Sequence, residues 1–383
     1  MNDGNVYADE FRKAFLEQED FLEFIKGITR SALWERRKSK DLRLVALEED
    51  SKIAKELKEK YADQGMDEGI LADTIANTGL LLKAKGEYYP VRSCAIHSIL
   101  DRAGISGSAL RKVDRNVYAR ILNECLKVAR GEALLRISEG KVSAVLGGDS
   151  HDYAVLDMEK IFLLTVEYLY DRFKSCHYIG GFYEHSFASA LWELDGEDKL
   201  LEAYQEELRV RCMDTEELKP VIRVATSDTG ISGANIYPLL VSGMEKKTIA
   251  LGSPLKLEHK AGATIKKFEE QLNMLYGKYQ FALGSLTKLL GIDIMNPANC
   301  MMGVMKKVGI PKKLGMEAVE LFKVQRGEDP CSAHDIYYGI SEILFLMETE
   351  GEEGSRITGM EETIARALSV NWREYDVPGE IKW

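Results

Sequence analysis

Residues 133–146 have the sequence ALLRISEGKVSAVL, and this stretch indicates what kind of sheet the protein contains. Two largely apolar segments, 133–138 and 141–146, flank the dipeptide Glu139-Gly140. A two-residue connection containing glycine between strand-like segments is typical of a β-hairpin. Because a hairpin joins antiparallel strands, the stretch favours an antiparallel or mixed sheet over a doubly wound parallel one.

The sequence on either side of the hairpin predicts more strands and, toward both ends, helices. Segments rich in β-branched or aromatic residues predict strands at 175–179, 182–194, 208–212, 221–226, 235–241 and 248–257. Asp157 has the side chain and position of an N-cap for a helix over 158–173. In the first sixty residues, apolar side chains recur at helical spacing from Phe11 to Ile25.

These patterns together predict an α+β protein with a central, mainly antiparallel sheet between helical N-terminal and C-terminal regions. We divide the chain into four segments. They are an N-terminal helical region (1–62), a helical subdomain (63–130), a central β-rich domain (131–262) and a C-terminal helical region (263–383).

A heptad pattern covers residues 264–291. Apolar residues there alternate at spacings of three and four, and Gly277, Gly284 and Gly291 recur every seven residues. This predicts one long helix with a packed seam. The seam has two possible partners, a neighbouring helix of the same chain or a second copy, so a homo-oligomer through 264–291 stays open.

Composition narrows the class of protein. The 383 residues include 62 acidic and 51 basic side chains, for a net charge of −11, and 45% are apolar, which is ordinary for a folded protein. No apolar run approaches the ~18–20 residues of a membrane helix. The polar start of the chain lacks the pattern of a signal peptide. We therefore expect a cytoplasmic protein without a membrane partner.

The usual signatures of cofactor and metal enzymes are missing. The six cysteines are scattered without a C-x-x-C pair, and the sequence contains no P-loop, Rossmann glycine pattern, H-E-x-x-H or G-x-S-x-G. We therefore expect no cofactor and name no catalytic residue. Whether the protein is an enzyme stays open, with the non-enzymatic interpretation preferred.

Basic residues are concentrated in 246–313, where twelve basic and four acidic side chains give a charge of +8. Such a stripe in an acidic protein predicts a negatively charged partner, either nucleic-acid phosphates or the protein's own acidic region at 348–362. The candidate nucleic-acid-binding residues, in this stripe and on the predicted sheet, are Arg136, Lys141, Arg209, Arg211, Arg223, Lys256, Lys260, Lys266 and Lys267.

Two loops have the composition of small binding sites. Residues 226–235, TSDTGISGAN, contain Thr226, Ser227, Thr229, Gly230 and Ser232, whose hydroxyls and backbone amides are suited to cradling an anion. A wide turn is the structural alternative.

The second loop, 147–153, contains Asp149, His151 and Asp152, which with His177 or His185 would suit a divalent metal. Turn hydrogen bonds are the alternative for these side chains.

Four segments resemble a phage- and plasmid-related family, domain of unknown function 932. They are YYPVRSCAIHSILDRAGISGSAL (88–110), EALLRISEGKVSAVLGGDSHDYAVLDMEKIF (132–162), VIRVATSDTGISGANIYPLL (221–240) and HDIYYGISEILF (334–345). The resemblance covers roughly residues 80–350 and rests on the order and joint presence of the four segments. One loop departs from the family pattern: 148–153 is GDSHDY, without the expected arginine. The resemblance implies a mobile-element setting in a bacterial host and transfers no catalytic residues.

We therefore expect a non-enzymatic, nucleic-acid-associated protein that binds single strands or assists recombination or replication. Two alternatives stay open. One is a metal-dependent enzyme acting on nucleic acid or a nucleotide through Asp149, His151 and Asp152. The other is an interaction protein that counters a host defence, with its acidic surface resembling nucleic acid.

Overall fold

The structure, a computed structural model, describes residues 5–173, 175–185, 187–195, 198–213, 218–243, 247–379 and 383. The chain folds as an α+β protein, about half helix and a quarter strand, which confirms the predicted class. The strands are β1 (Arg12–Phe15), β2 (Leu33–Lys38), β3 (Arg43–Ala46), β4 (Leu80–Ala84), β5 (Glu87–Pro90), β6 (Glu132–Ser138), β7 (Lys141–Gly147), β8 (Ser175–Glu184), β9 (Phe187–Asp195), β10 (Lys219–Thr226), β11 (Ala234–Ser242), β12 (Lys247–Ala250), β13 (Leu255–Leu257), β14 (Asp293–Ile294) and β15 (Cys331–Ser332).

Helices precede, connect and follow the strands. The α-helices are α1 (Gln18–Ser31), α2 (Lys52–Gln64), α3 (Gly69–Ala76), α4 (Ala95–Ala103), α5 (Arg115–Val128), α6 (Met158–Arg172), α7 (Asp198–Val210), α8 (Ile265–Leu289), α9 (Pro297–Val308), α10 (Lys312–Arg326), α11 (Ala333–Thr349) and α12 (Gly354–Ala365). Short 3₁₀ helices cover Ser39–Asp41, Ser108–Lys112, Arg366–Ser369 and Trp372–Tyr375.

The hairpin predicted from residues 133–146 is present as β6 and β7. Ser138 pairs with Lys141 across a two-residue turn, and Glu139 and Gly140 both have positive φ, 51° and 74°. This is the backbone of a type I′ turn, whose twist matches the twist of the strands it joins. The strand β2 pairs with the outer edge of β6, so β2, β6 and β7 form one sheet, which we call the hairpin sheet.

A larger antiparallel sheet has the strand order β1-β8-β9-β10-β11-β12, and β13 also pairs with β11. The strands β8 to β11 follow one another along the chain, so short turns connect most of the neighbours. The strands β3, β4 and β5 form a further small antiparallel sheet. The prediction of a mainly antiparallel architecture is therefore confirmed.

Two main hydrophobic cores organise the fold, beside minor clusters, one of which joins α2 and α3 to β4. The larger one packs the large sheet against helices that include α1, α6, α8 and α11. The smaller one joins the β3–β5 sheet and the hairpin sheet to α4 and α5. Core membership crosses all three predicted boundaries: the smaller core includes Leu42 as well as residues between 80 and 145, and the larger one includes residues between 156 and 372.

The predicted N-terminal helical region is mixed. It contains α1 and most of α2, but also β1, β2 and β3. The partners of β1 and β2 are β8 and β6, each more than ninety residues further along the chain. A strand this short shows little alternation of apolar and polar residues. Its partner also lies too far along the chain for a local pattern to reveal the pairing.

The heptad pattern of 264–291 corresponds to α8, as predicted. Its seam, including Phe268, Leu272, Tyr279 and Leu286, is buried against α6, α7 and β11 of the same chain. The seam is therefore occupied within the chain, which removes the observation that favoured a second copy as its partner. Within the described residues, no helix combines the length and apolarity that crossing a membrane requires.

Candidate functional site

Two of the predicted nucleic-acid-binding residues lie inside the fold. Arg136 is 1% exposed, and its Nε donates a hydrogen bond to Asp228 Oδ2 at 2.6 Å. Lys141 is fully buried in ion pairs with Asp9 and Asp73. Buried charges need such partners because desolvation otherwise disfavours them strongly. The structure thus contradicts a surface contact with nucleic acid for both residues.

Arg223 is likewise excluded as a surface contact for nucleic acid, because it is buried in an ion pair. It is 4% exposed and forms an ion pair of 2.9 Å with Glu361 on α12. Burial raises the pKa of Glu361 to about 7, although the nearby Arg223 guanidinium acts in the opposite direction. This contact holds α12 against the large sheet.

Arg209 and Arg211 are on the surface, but not on the sheet. The strand predicted over 208–212 is wrong, because α7 extends to Val210. Arg209 and Arg211 form exposed ion pairs with Glu206 and Glu207 of the same helix segment. They therefore do not join the other basic candidates on one face of a sheet.

The loop that starts at Thr226 is folded tightly. Thr226, Ser227 and Thr229 are buried, and the Ser227 Oγ lies 2.9 Å from Thr229 Oγ1. The Ser227 and Thr229 hydroxyls therefore contact each other, whereas Thr226 Oγ1 is buried without a hydrogen-bond partner among the described residues. Gly230 and Ser232, in contrast, line an open cavity.

The structure does not gather ligands around the predicted metal loop. Asp149 Oδ1 accepts a hydrogen bond from the Glu132 amide at 3.2 Å, and Asp152 lies 3.9 Å from Arg102. His151 is exposed. The two aspartates thus contact β6 and α4, and neither contact is a turn hydrogen bond inside the loop.

The two histidines proposed as further ligands have other partners. His177 Nε2 lies 2.6 Å from Asp195 Oδ2, and His185 contacts Arg92. Across the part of the chain that the structure describes, no group of three side chains of the metal-ligating types is found.

One cavity brings several predicted residues together. It has a volume of about 450 Å³ and lies between the loop after β10, the turn after β13 and the first turns of α12. We call it the lysine cavity. Its walls include Lys256, Lys260, Gly230, Ser232, Tyr153, His259, Ser355, Thr358 and Glu362.

Strand pairing positions the first lysine. Lys256 on β13 is opposite Asn235 on β11. Gly233, just before β11, allows this approach, because a side chain there would overlap the Leu257 carbonyl oxygen. Gly233, which belongs to the predicted anion loop, therefore allows two backbone segments to pack closely.

A stacked pair of rings forms the inner wall of the lysine cavity. The Tyr153 and His259 rings are 4.8 Å apart and tilted by only 4°. His259 Nδ1 lies 3.0 Å from the Ala154 carbonyl oxygen, which fixes Nδ1 as the donor. Burial lowers the pKa of His259, so the ring is neutral near neutral pH. The pair attaches the predicted metal loop to the turn after β13.

The lysines of the cavity are exposed and paired. Lys256 Nζ lies 2.5 Å from Glu362 Oε1, and Lys260 forms an ion pair with Glu258. The side chains of Lys256 and Lys260 are 44% and 77% exposed. Ion pairs this exposed are weak, because water and salt screen their charges. The ammonium groups therefore exchange readily between a glutamate and an incoming anion.

Lys266 and Lys267 extend the basic surface away from the cavity. Both are exposed in the first turn of α8, which begins five residues after Lys260 in the sequence. Neither has an ion-pair partner within the described ranges. Of the nine basic candidates, these two and the two cavity lysines are the exposed ones in the basic segment, whereas Arg209 and Arg211 are exposed at the end of α7.

The acidic region at 348–362 does contact the basic segment at several points. Lys256 pairs with Glu362, and Lys313 lies 3.3 Å from Glu350. Lys246, the first residue of the predicted basic segment, lies outside the described residues. Both partners proposed for the basic segment are thus compatible with the geometry: part of its charge is used internally, and part faces solvent.

Sequence reasoning missed the wall contributed by α12. Ser355, Thr358 and Glu362 come from a helix about a hundred residues beyond β13. Their spacing of three or four residues is that of one helix face, but nothing in the sequence links this face to Lys256.

Comparison with known proteins gives no match: no protein family, no curated protein and no solved structure is significantly similar to this chain. The resemblance to domain of unknown function 932 therefore remains a prediction from the four quoted segments.

Proposed function

We propose that this protein binds single-stranded nucleic acid, with strand phosphates at the lysine cavity and along Lys266 and Lys267. The observation that supports this most is the meeting of two independently predicted features, the 226–235 loop and the basic segment, at one open cavity. Lys256 and Lys260 supply positive charge there, and Ser232 supplies a hydroxyl. Grooves that follow a nucleic-acid backbone combine these groups with aromatic side chains.

The overall charge of −11 does not oppose this function at short range. At physiological salt the Debye length is about 8 Å, so a phosphate at the cavity interacts mainly with the nearest side chains. The exposed glutamate partners are displaced at little cost, because such ion pairs are weak in water.

The test is binding of a labelled single strand of about 20 nucleotides, DNA or RNA, long enough to fill one site. It is measured by fluorescence anisotropy at about 50 mM salt, where screening is weak. The double variant Lys256→Gln/Lys260→Gln should weaken binding about tenfold, because two phosphate contacts are lost.

The matched control is Lys306→Gln/Lys307→Gln, which removes the same charge from two adjacent exposed lysines on α9. It should bind like the wild type. Equal weakening by both double variants would show that only net charge matters. No binding by the wild type would overturn the function and would favour the interaction protein that counters a host defence.

Two parts of the proposal concern setting and assembly. We place the protein in the bacterial cytoplasm as a phage- or mobile-element-encoded accessory protein, on the support of the sequence resemblance. We also retain self-association through 264–291, now by the exposed side of α8, where Met274 and Phe281 are more than half exposed. Light scattering over a concentration series tests this, and a monomer mass throughout would overturn it.

A further inference from the structure

A second cavity lies on the other side of the first turn of α12. It has a volume of about 590 Å³, and its walls include Phe11, Phe182, Glu184, Gly354 and Ile357. We call it the phenylalanine cleft. Gly354 and Ile357 line this cleft, whereas Ser355 and Thr358, their neighbours in the chain, line the lysine cavity.

A pair of stacked aromatic rings separates the two cavities. Phe182 lines the cleft and Phe187 lines the lysine cavity, with ring centroids 5.8 Å apart and an angle of 29° between the rings. The Phe182 ring packs on Gly354, where any side chain would overlap it. The cleft therefore presents an aromatic ring held in place by the helix backbone. Nucleobases stack on such rings in single-strand-binding proteins.

Glu184 places a carboxylate in the wall of the cleft. The residue is 6% exposed, and its Oε1 has no hydrogen-bond partner among the described residues, although Ser355 donates hydrogen bonds to the carboxylate. Burial raises the pKa of Glu184. Arg12 is opposite Glu184 in the strand register, but its guanidinium reaches Glu353 at 3.4 Å. A buried acceptor without a donor is destabilising, so a ligand that donates here gains affinity.

We propose that the phenylalanine cleft binds a nucleobase that carries an exocyclic amino group, and that it prefers cytosine over thymine or uracil. The ring stacks on Phe182, and the amino group donates a hydrogen bond to Glu184 Oε1. Thymine and uracil present a carbonyl oxygen at the same position, which a carboxylate repels. This inference rests on the proposed function, since it places one base of the bound strand in the cleft while the phosphates of that strand lie at the lysine cavity.

The experiment compares labelled dC and dT strands of about 12 nucleotides, within the usual size of one binding site. It is done at slightly alkaline pH, where cytosine strands stay unfolded. We expect the wild type to bind the dC strand about tenfold more tightly, as one base-edge contact allows. Glu184→Gln should remove this preference, because an amide can either donate to the thymine oxygen or accept from the cytosine amine.

Two controls separate base recognition from other effects. Glu353→Gln removes a neighbouring carboxylate that does not line the cleft, and it should retain the dC preference. Lys256→Gln/Lys260→Gln should weaken the binding of both strands equally and leave the ratio of their affinities unchanged. Retention of the preference in Glu184→Gln would overturn the role of that residue.

The wild type alone distinguishes the two proposals. Equal, measurable binding of dC and dT would overturn base recognition in the cleft while leaving single-strand binding intact. Binding of neither strand would overturn the proposed function and this inference with it.

Discussion

The Arg136 guanidinium and the Asp228 carboxylate form a buried ion pair that ties the hairpin sheet to the loop after β10. Arg136 Nε lies 2.6 Å from Asp228 Oδ2, and Arg136 also donates to Ser143 Oγ at 2.7 Å. Because the same loop continues to Gly230 and Ser232, the pair anchors one wall of the lysine cavity to the smaller core.

Breaking this ion pair should be strongly destabilising. Arg136→Met leaves Asp228 buried without its partner, and we expect the free energy of unfolding to fall by about 3–5 kcal/mol. The double variant Arg136→Met/Asp228→Leu removes both charges and should recover most of the loss. Urea denaturation followed by circular dichroism measures both. This account would be contradicted if the double variant lost as much free energy of unfolding as Arg136→Met and Asp228→Leu lose together.

Two glycines should respond in opposite ways to substitution by alanine. Gly233→Ala places a methyl group against the Leu257 carbonyl oxygen, and we expect it to destabilise the protein by about 2 kcal/mol. Gly284→Ala, in the middle of α8 with open space around it, should stabilise by about 0.5–1 kcal/mol. Thermal unfolding of both variants checks the signs. Stabilisation by Gly233→Ala would show that β13 moves without cost.

His334 should make the protein sensitive to acid. Its Nε2 lies 2.6 Å from Tyr204 Oη, and burial lowers the pKa of His334 from 6.5 to about 4. The unfolded chain then takes up a proton at a higher pH than the folded one. Stability is therefore fully present above pH 6.5 and is lost as the pH falls toward 4, by up to about 3 kcal/mol.

His334→Gln should flatten this acid limb, since glutamine keeps a polar group near Tyr204 but does not titrate. The matched control is His97→Gln, which changes an exposed histidine on α4. The measurement is the free energy of unfolding of the wild type and both variants between pH 4 and 7. An acid limb that is equally steep in the wild type and in His334→Gln would contradict the assignment.

The salt dependence of binding should count the lysines that contact the strand. Each phosphate neutralised on a single strand contributes about −0.7 to the slope of log K against log salt. Lys266→Gln/Lys267→Gln should make the slope shallower by about 1.4 if both side chains contact phosphates. Titrations over a range of salt concentrations measure the slope. An unchanged slope would confine the phosphate contacts to Lys256 and Lys260.

Local chemistry explains which parts of the fold were predictable. The hairpin at 133–146 and the N-cap Asp157, whose side chain accepts from the Lys160 amide at 3.1 Å, depend on residues only a few positions apart. The heptad of α8 is likewise a local repeat. The strand β1 and the end of α7 were not predicted correctly, because the pairing of β1 with β8 and the packing of α7 on α8 are tertiary contacts.

The candidate site was predictable only in part. The charge of a basic residue makes it a candidate, but it does not show whether the residue is exposed or buried. Lys256 and Lys260 are exposed, as a contact with nucleic acid requires, but Arg136 and Lys141 belong to the same residue class and are buried. What distinguishes them is the position of their carboxylate partners. Asp228 lies 92 residues from Arg136, and Asp9 lies 132 residues from Lys141. A composition count cannot reveal partners at such distances.

The pairing of Arg12 with Glu353 has a consequence for the protein during its synthesis. These residues are 341 positions apart, and the pair joins Arg12, which lines the phenylalanine cleft, to the residue just before α12. A nascent chain on the ribosome has neither the cleft nor the α12 wall of the lysine cavity until that helix has emerged. Translation must therefore have passed α12 before either cavity is complete.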